Sequence, residues 1–365
     1  MRTEYSEDQS LKHTRRRFLT VLVGGAVGSA GCTATTRDRW TGGLLGPQRL
    51  QWRYQAGARL GTAPSIKHRQ LYIAGDDGNL YSLEPADGTL KWTFQTEGEI
   101  WSSPEPTDDT IYVGSWDNTL YAVAPDGTER WRFHTDGGVG SNPSYVDGTI
   151  YVGSYDGHVY AVDANSGDEQ WAYLTQNEVA AGPVVDGDIV YIGSIDKSLY
   201  ALDAATGELL WEFATDDKIS NSAAVDGDRI FVGSTDATLY ALNRYNGSLL
   251  WSLATEHDIN STPAISKNTV YVGSFFGAFY AVDVATGEVR WKTDKPEGPL
   301  LSDPRVADGV VYIGDRHGNM RAFDAETGAQ QWVFETGNAI HSKPYVTDET
   351  VYFGSSDGYA YAIER

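Results

Sequence analysis

Short apolar runs recur along the chain and alternate with turns rich in Gly, Asp and Asn. Runs such as Ile150-Tyr151-Val152 and Val159-Tyr160-Ala161-Val162 combine β-branched and aromatic residues, which favour strands. The pairs Asp147-Gly148 and Asp156-Gly157 suit tight hairpin turns, because glycine tolerates a positive φ. The pattern predicts a meander of four short antiparallel strands that repeats along the chain.

Tryptophan marks the repeat most clearly. Eight tryptophans are spaced 39 to 41 residues apart: Trp52, Trp92, Trp131, Trp171, Trp211, Trp251, Trp291 and Trp332. A period near forty residues with four strands per unit indicates a β-propeller. The first fragment, 50–54, is a lone Trp-bearing strand, whereas the last, 339–365, has three strands and stops before its Trp. We therefore predict an all-β, eight-bladed β-propeller of four-stranded blades over 48–365, whose N-terminal strand joins the C-terminal blade and closes the ring.

The charge of the chain changes the expected partners. Lys and Arg total 28 against 50 Asp and Glu, so the formal charge is −22, and it is spread over all the repeats. Such a surface repels nucleic acid, whose binding needs clustered cations. The acidic, lysine-poor composition is similar to that of halophilic proteins. The histidine spacing predicts no metal site, the single cysteine allows no internal disulfide, and a monomeric propeller is expected.

The first 47 residues differ from the repeats. Arg15-Arg16-Arg17-Phe18-Leu19 precedes a Gly- and Ala-rich apolar run that is too short to span a bilayer comfortably. We predict a signal peptide at 1–31 and a flexible tether at 32–47. The basic segment resembles a twin-arginine export signal, and Ser29-Ala30-Gly31-Cys32 resembles a lipobox with Cys32 as the lipid attachment site. This predicts a lipid anchor on the outer side of the cytoplasmic membrane; a plain cleavable signal or an N-terminal anchor is the alternative.

One motif carries a family resemblance. Ala201-x-Asp203-x-x-Thr206-Gly207-x-x-x-Trp211 recurs in most units. It resembles the tryptophan-docking motif of the pyrroloquinoline quinone (PQQ)-type repeat family, and the match covers residues 50–365. The resemblance implies that the repeated Trp, Asp and Gly hold blades together. One branch of the family comprises longer dehydrogenases that bind PQQ and Ca²⁺. This propeller has no cysteine and no insertions, so it is more similar to the lipid-anchored, non-catalytic BamB-like branch, for which no cofactor is expected.

Positions where the repeats differ are the candidates for function. In the turn Gly-Ser-x-Asp-Gly, four units have a large apolar side chain at x, namely Trp116, Tyr155, Ile195 and Phe275. Hairpin turns are expected to be exposed, and in a propeller these turns share one face. The four side chains therefore predict an apolar interaction surface. The alternative is that each folds over a neighbouring blade and is buried there.

The sixth and seventh units differ most from the others. Phe276 and His317 replace the turn Asp, Asp315 replaces Ser, and Arg321 replaces a Tyr. The connection 292–303 is one residue longer than its equivalents and is expected on the same face as these turns. The predicted partner-binding residues are therefore Trp116, Tyr155, Ile195, Phe275, Phe276, Arg316 and His317.

A second set of polar and aromatic residues lies near the starts of the first strands, on the same face. These residues predict a pocket at the mouth of the central channel: Trp101, Asn142, Asn260, Asp303, His341 and Lys343. Within the set, only Asp303 and His341 form a plausible acid/base or ligand pair. A water-filled channel with incidental polar side chains is the simpler interpretation.

Three functions are consistent with these features. The favoured one is a non-enzymatic, membrane-anchored scaffold that binds an envelope or membrane protein, or an extended peptide, on the turn face. The alternative is a PQQ- and Ca²⁺-dependent dehydrogenase of alcohols or sugars, in which Trp101 stacks on the quinone and Asp303 is the base. The third is binding of an extracellular carbohydrate or small molecule by the aromatic rim.

Overall fold

A computed structural model describes residues 49–276, 278–293, 299–300 and 302–365. The predicted signal peptide, Cys32 and the tether lie outside the described residues, as does part of the 292–303 connection. Throughout the described ranges the regular structure consists of strands, arranged in eight four-stranded antiparallel sheets. In these ranges no helix is long and apolar enough to cross a membrane. The prediction of an eight-bladed propeller is confirmed.

The first four blades follow the chain from residue 65. Blade 1 comprises β2 (Ser65–Lys67), β3 (Gln70–Ala74), β4 (Asn79–Leu83) and β5 (Leu90–Gln95). Blade 2 comprises β6 (Glu105–Pro106), β7 (Ile111–Ser115), β8 (Thr119–Val123) and β9 (Glu129–His134). Blade 3 comprises β10 (Ser144–Val146), β11 (Thr149–Gly153), β12 (His158–Asp163) and β13 (Glu169–Leu174). Blade 4 comprises β14 (Val184–Asp186), β15 (Ile189–Gly193), β16 (Ser198–Asp203) and β17 (Leu209–Ala214).

The last four blades include the closure of the ring. Blade 5 comprises β18 (Ala224–Asp226), β19 (Arg229–Gly233), β20 (Thr238–Asn243) and β21 (Leu249–Ala254). Blade 6 comprises β22 (Ala264–Ser266), β23 (Thr269–Gly273), β24 (Phe279–Asp283) and β25 (Val289–Lys292). Blade 7 comprises β26 (Arg305–Ala307), β27 (Val310–Gly314), β28 (Asn319–Asp324) and β29 (Gln330–Glu335). Blade 8 comprises β30 (Tyr345–Val346), β31 (Thr350–Gly354), β32 (Tyr359–Glu364) and the N-terminal β1 (Leu50–Gln55).

The register within a blade explains its core. Tyr151 on β11 pairs with Ala161 on β12, which pairs with Trp171 on β13. The small Ala161 lets the two rings meet at 5.8 Å between centroids. Blades 3 and 4 then share one buried cluster, and seven equivalent clusters join the other blade pairs. Burial of these apolar interfaces is the main stabilising contribution to the ring.

The tryptophans dock as the family resemblance implied. The Trp211 indole donates to the Arg244 carbonyl in the next blade at 2.9 Å. A Cβ on Gly247 would lie 2.7 Å from the Trp211 ring, and Gly247 has a φ of +69°. The glycine in this turn is therefore required twice, for its conformation and for the close approach of the ring.

Ring closure follows the prediction. β1 pairs antiparallel with β32, with Trp52 opposite Ala362. The Arg49 guanidinium donates to the Arg365 carbonyl at 3.0 Å and lies 4.9 Å from the Trp332 ring centroid. First strands of neighbouring blades contact one another, as β2 does with β6 and β22 with β26, so the first strands surround the central channel.

Candidate functional site

One face of the ring carries the second turns, which join the second and third strands, and the connecting segments, which lead from one blade into the next. We call it the turn face. In every blade the amide at x in the second turn donates to a carbonyl of the segment leading into that blade, at 2.8–3.1 Å, as in the bond from Trp116 to Glu99. The expectation that turns and connections share a face is confirmed, and the two are fastened together eight times.

The apolar side chains at x are half-buried, so full exposure was the wrong expectation. Trp116, Tyr155, Ile195 and Phe275 all have intermediate accessibility. A Cβ on Gly138 would lie 2.7 Å from the Trp116 ring, and one on Gly140 would lie 3.0 Å from the Tyr155 ring. The connecting segment into blade 3 therefore holds both rings because it lacks side chains there. The alternative of packing over a neighbouring blade is nearer to the structure for these two residues.

Trp101 extends this packing to the channel. The Trp101 and Trp116 rings meet edge to face at 4.7 Å, and Trp116 and Tyr155 meet at 4.5 Å. Trp101 is 44 % exposed, and its indole donates to the Glu99 carboxylate at 2.8 Å. We call Trp101, Trp116 and Tyr155 the aromatic ridge. It runs from the channel mouth outward across blades 2 and 3 and presents Trp101 to solvent.

A second apolar patch lies on blade 6. Phe276 is 54 % exposed, its ring meets that of Phe275 at 4.5 Å, and it lies 6.0 Å from that of His257. We call these three residues the blade-6 patch. Arg316 and His317, in the second turn of blade 7, are exposed. Sequence reasoning missed Leu174, which ends β13 on this face and is 62 % exposed. The sequence indicates this exposed residue, because Leu174 is apolar at a position where other outer strands have a polar residue, such as Gln95 or Glu335.

The repeated turn aspartate has a structural role. In blade 4, Asp196 accepts hydrogen bonds from the Tyr200 hydroxyl at 2.8 Å and from the Gln176 amide at 2.8 Å. Blades 2, 3, 5 and 8 have the same pair of bonds. In blade 2, burial and the hydrogen bond to Asp117 raise the pKa of Tyr121 to about 12. The aspartate therefore fastens the third strand to the connecting segment.

In blade 7 an ion pair takes the place of the turn aspartate and its tyrosine. The Arg321 guanidinium donates to the fully buried carboxylate of Asp315 at 2.9 Å, and its other arm donates to Gln330. Asp315 also accepts from the amides of His317 and Asn319, both at 2.9 Å. The sequence showed three separate departures in this blade. The structure shows that Asp315 and Arg321 compensate each other, which leaves His317 free to face solvent.

The predicted channel-mouth residues belong to two tiers of the channel wall. Trp101, Asn260 and His341 lie three residues before the proline that recurs in the repeats, and Asn142, Asp303 and Lys343 lie one residue before it. The second tier links blades, because the Ser103 amide donates to Asn142 at 2.6 Å and the Thr262 amide donates to Asp303 at 2.7 Å. A cavity of about 180 Å³ opens here, the channel-mouth pocket, lined by Trp101, Gly140, Asn142, Ala180, Gly182, Ser220, Asn221, Ser222, Asn260, Thr262 and Asp303.

His341 and Lys343 do not line this pocket, and no hydrogen bond joins His341 to Asp303 within the described ranges. Burial lowers the pKa of His341, and so do the charges of Arg59 and Arg316, against an opposing effect of Asp76. These charges belong to the second turn of blade 7 and to blade 1. Asp303 and His341, the acid/base pair suggested by the sequence, therefore lie in different environments: Asp303 lines the pocket, whereas His341 lies among the charges of blades 1 and 7.

The residues present do not fit a quinone with Ca²⁺. The channel-mouth pocket is smaller than the ~300–1,000 Å³ usual for small-molecule sites. Within the part of the chain that the structure describes, no three His, Cys, Asp or Glu residues converge as a metal site. Asp303 is also engaged by a backbone amide in the wall.

The chain matches two family models. Residues 146–365 match one described as the β-propeller of the beta-alanine-activating enzyme. Residues 101–181 match one described as outer membrane protein assembly factor BamB.

Two curated proteins are similar over short segments. The human beta-alanine-activating enzyme is 30 % identical over 81 residues, which is 20 % of this chain and 7 % of that protein. BamB of Shewanella oneidensis is 33 % identical over 70 residues, which is 19 % of this chain and 18 % of that protein. The match thus spans less than a fifth of either relative.

Two solved structures have a similar fold. The computationally designed protein Ika8 superposes with a TM-score of 0.79 at 16 % identity, over 87 % of this chain and 100 % of that one. BamB of Moraxella catarrhalis superposes with a TM-score of 0.74 at 20 % identity, over 86 % of this chain and 100 % of that one. At these identities the likeness shows the fold alone.

Proposed function

The chain belongs to the PQQ-type β-propellers, in the family described as the β-propeller of the beta-alanine-activating enzyme, and from this premise we propose a non-enzymatic scaffold function. The scaffold is anchored to the membrane through Cys32 after twin-arginine export, and it binds a membrane protein or extended peptide of the cell envelope on its turn face. The likeness to a protein named an outer membrane protein assembly factor supports a scaffold at the envelope.

The observation that carries the proposal is the exposure of Phe276 at a position where six other blades have a half-buried, hydrogen-bonded aspartate. In blade 4 the equivalent Asp196 holds Gln176 and Tyr200. In blade 6 the Phe276 ring is 54 % exposed, and the Tyr280 hydroxyl has no hydrogen-bond partner in the described ranges. Blade 6 has therefore given up a stabilising contact and displays an aromatic ring on a strongly acidic protein. Exposed rings of this kind are typical anchors of protein interfaces.

The mechanism follows from the arrangement of the face. Apolar side chains of the partner pack on Phe276 and on the exposed part of Trp101, while Arg316 and His317 supply polar contacts beside blade 6. Trp116 packs against Trp101, and Phe275 packs against Phe276. Tyr155 and Ile195 are half-buried on the same face and add apolar surface beside these anchors. Binding energy is concentrated in the two exposed rings, because interfaces derive most of their affinity from a few central aromatic anchors.

Site-directed photocrosslinking in native membranes tests the proposal. A photoreactive residue replaces Phe275, next to the anchor, or Leu210, an outer-strand residue that is 48 % exposed. We expect a discrete protein adduct from position 275 and none from 210. F276S should reduce the 275 adduct at least about tenfold, as expected for loss of an anchor. The matched control L250S removes a side chain that is 44 % exposed on the outer strand and should leave the adduct unchanged. An adduct that survives F276S would contradict the proposal.

A further inference from the structure

The channel-mouth pocket has an unusual chemical composition. Among the described residues that line it, all but Trp101 are polar or small, and Asp303 is the one that carries a charge. Blades 4 and 5 make room for it, because Ala180, Gly182 and Ser222 have short or no side chains. At ~30 Å³ for each water molecule, a cavity of about 180 Å³ holds roughly six waters. That is space for the end of one side chain.

Two hydrogen-bond acceptors in the wall of the pocket, on Asp303 and Asn221, lack a donor within the described ranges. Asp303 uses Oδ1 to accept from the Thr262 amide, and within the described ranges Oδ2 has no partner. Asn221 is 6 % exposed and donates to the Ile259 carbonyl at 3.0 Å, but its Oδ1 is buried and accepts no hydrogen bond. Six blades have Ser or Thr at this position, so Asn221 is a departure from the repeat. An uncompensated carboxylate oxygen and a buried orphan carbonyl give the wall a negative potential.

Trp101 joins this wall to the aromatic ridge. The ring lines the pocket, and its edge-to-face contact with Trp116 continues to Tyr155. Trp101 and Asp303 line the same pocket, and both favour a cation there, since the ring quadrupole and the carboxylate each attract positive charge. The formal charge of −22 attracts cationic groups to the same mouth.

From these observations we propose that the channel-mouth pocket receives a lysine side chain of the partner segment, whose ammonium donates to Asp303 Oδ2 and lies against the Trp101 ring. The inference rests on the proposed scaffold function and gives the partner a chemistry: a lysine beside an apolar residue that packs on the aromatic ridge. An ammonium donates three hydrogen bonds and accepts none, which matches a wall that offers acceptors. The aliphatic stem of the lysine packs on the aromatic ring at the mouth, while its charged end reaches the polar wall of the pocket.

The test uses N-acetyl-lysine methylamide as the probe and the full chain. Binding is followed by the ¹H–¹⁵N signal of the Trp101 indole, assigned by its loss in W101F. Two matched probes separate the chemistries: N-acetyl-norleucine methylamide has the stem without the charge, and methyl glucoside is a neutral polyol. We expect the lysine probe to shift the signal and the other two to leave it unchanged.

Asp303→Asn is the decisive variant, because it keeps the oxygen that caps Thr262 and removes the charge. It should weaken the lysine probe about tenfold, the loss of one charge-assisted hydrogen bond. Asp226→Asn removes the same charge from an exposed residue of the opposite face and should have no effect. Asn221→Ser restores the residue of the repeat, removes the orphan carbonyl and should weaken the probe by a smaller factor.

The outcomes separate this inference from the function on which it rests. Absence of a shift with the lysine probe, a shift with the glucoside alone, or equal affinity in D303N would each overturn the lysine site. The crosslink at position 275 would remain and would keep the scaffold function intact. Loss of that crosslink with an intact lysine response would instead overturn the protein partner.

Discussion

Blades 4 and 7 fasten the same turn with different chemistry. In blade 4 the carboxylate of Asp196 holds a tyrosine hydroxyl and a backbone amide and lies partly exposed at the turn. In blade 7 the carboxylate has moved to Asp315, is fully buried and is matched by Arg321. Blade 6, between blades 5 and 7, has neither arrangement. The comparison shows that the repeat constrains the geometry of the second turn but not its chemistry, and that the chemistry has changed where the turn face displays Phe276, Arg316 and His317.

The largest effect should come from breaking the ion pair of blade 7. Arg321→Tyr restores the residue of the repeat but leaves the Asp315 carboxylate buried without its cation, which costs about 3–5 kcal/mol of unfolding free energy. The triple variant D315S/H317D/R321Y rebuilds the arrangement of blade 4 and should recover most of that loss. Denaturant unfolding followed by tryptophan fluorescence measures both. A triple variant as unstable as the single one would show that the two arrangements are not equivalent.

The next largest effect should come from the turn aspartate of blade 4, compared with the equivalent residue of blade 6. Asp196→Ala removes the acceptor for Tyr200 and for the Gln176 and Ser198 amides, and should cost about 1–3 kcal/mol. Phe276→Ala, at the equivalent position of blade 6, removes an exposed ring and should stay within about 0.5 kcal/mol of the wild type. The same unfolding experiment measures both. Equal losses would mean that Phe276 is part of the fold.

A smaller effect should have the opposite sign. Phe276→Asp supplies Tyr280 with the acceptor that it lacks and should stabilise the chain by about 0.5–1.5 kcal/mol, while the crosslink at position 275 is lost. Tyr280→Phe should be near neutral alone and should remove the gain in the F276D background. This double-mutant cycle isolates the new hydrogen bond. Additive effects of the two substitutions would show that the bond does not form.

The smallest effect is electrostatic and extends from blade 7 to blade 8. The pKa of His341 lies below its ordinary value of 6.5 because of burial and the charges of Arg59 and Arg316, partly offset by Asp76. Above that ordinary value both folded and unfolded chains are neutral at this residue. As the pH falls below it, the unfolded chain takes up the proton first, so stability decreases. Arg316→Ser should move the pKa of His341 upward in an NMR titration, and H341Q should flatten the acid limb of the stability profile. An unchanged pKa in R316S would remove the link between the blades.

The fold could be predicted because the same residue types repeat in every blade. The site was harder to predict because it consists of residues that differ between blades. The Trp period gave the blade number, and the incomplete first and last units gave the closure of the ring. The half-burial of Trp116 depends on the next blade, where Gly138 lies against its ring. A glycine-rich connection after a bulky turn residue was the available signal. The pairing of Asp315 with Arg321 needed the strand register, since Gly314 lies opposite Met320. Hydrogen bonds from one blade to the next, such as that of Asp303 to Thr262, leave no pattern within a single repeat.

Ring closure has a consequence for the order in which the chain folds. Every blade from 1 to 7 forms from neighbouring residues, but the bond between Arg49 and Glu364 joins residues 315 positions apart. Contacts of such sequence separation are slow to form, because the entropy of closing the loop is lost before the contact is gained. Blades 1 to 7 can form one after another along the chain, whereas β1 can pair only once β32 has been made. The completion of blade 8 is therefore the event that converts an open, edge-exposing chain into a closed molecule.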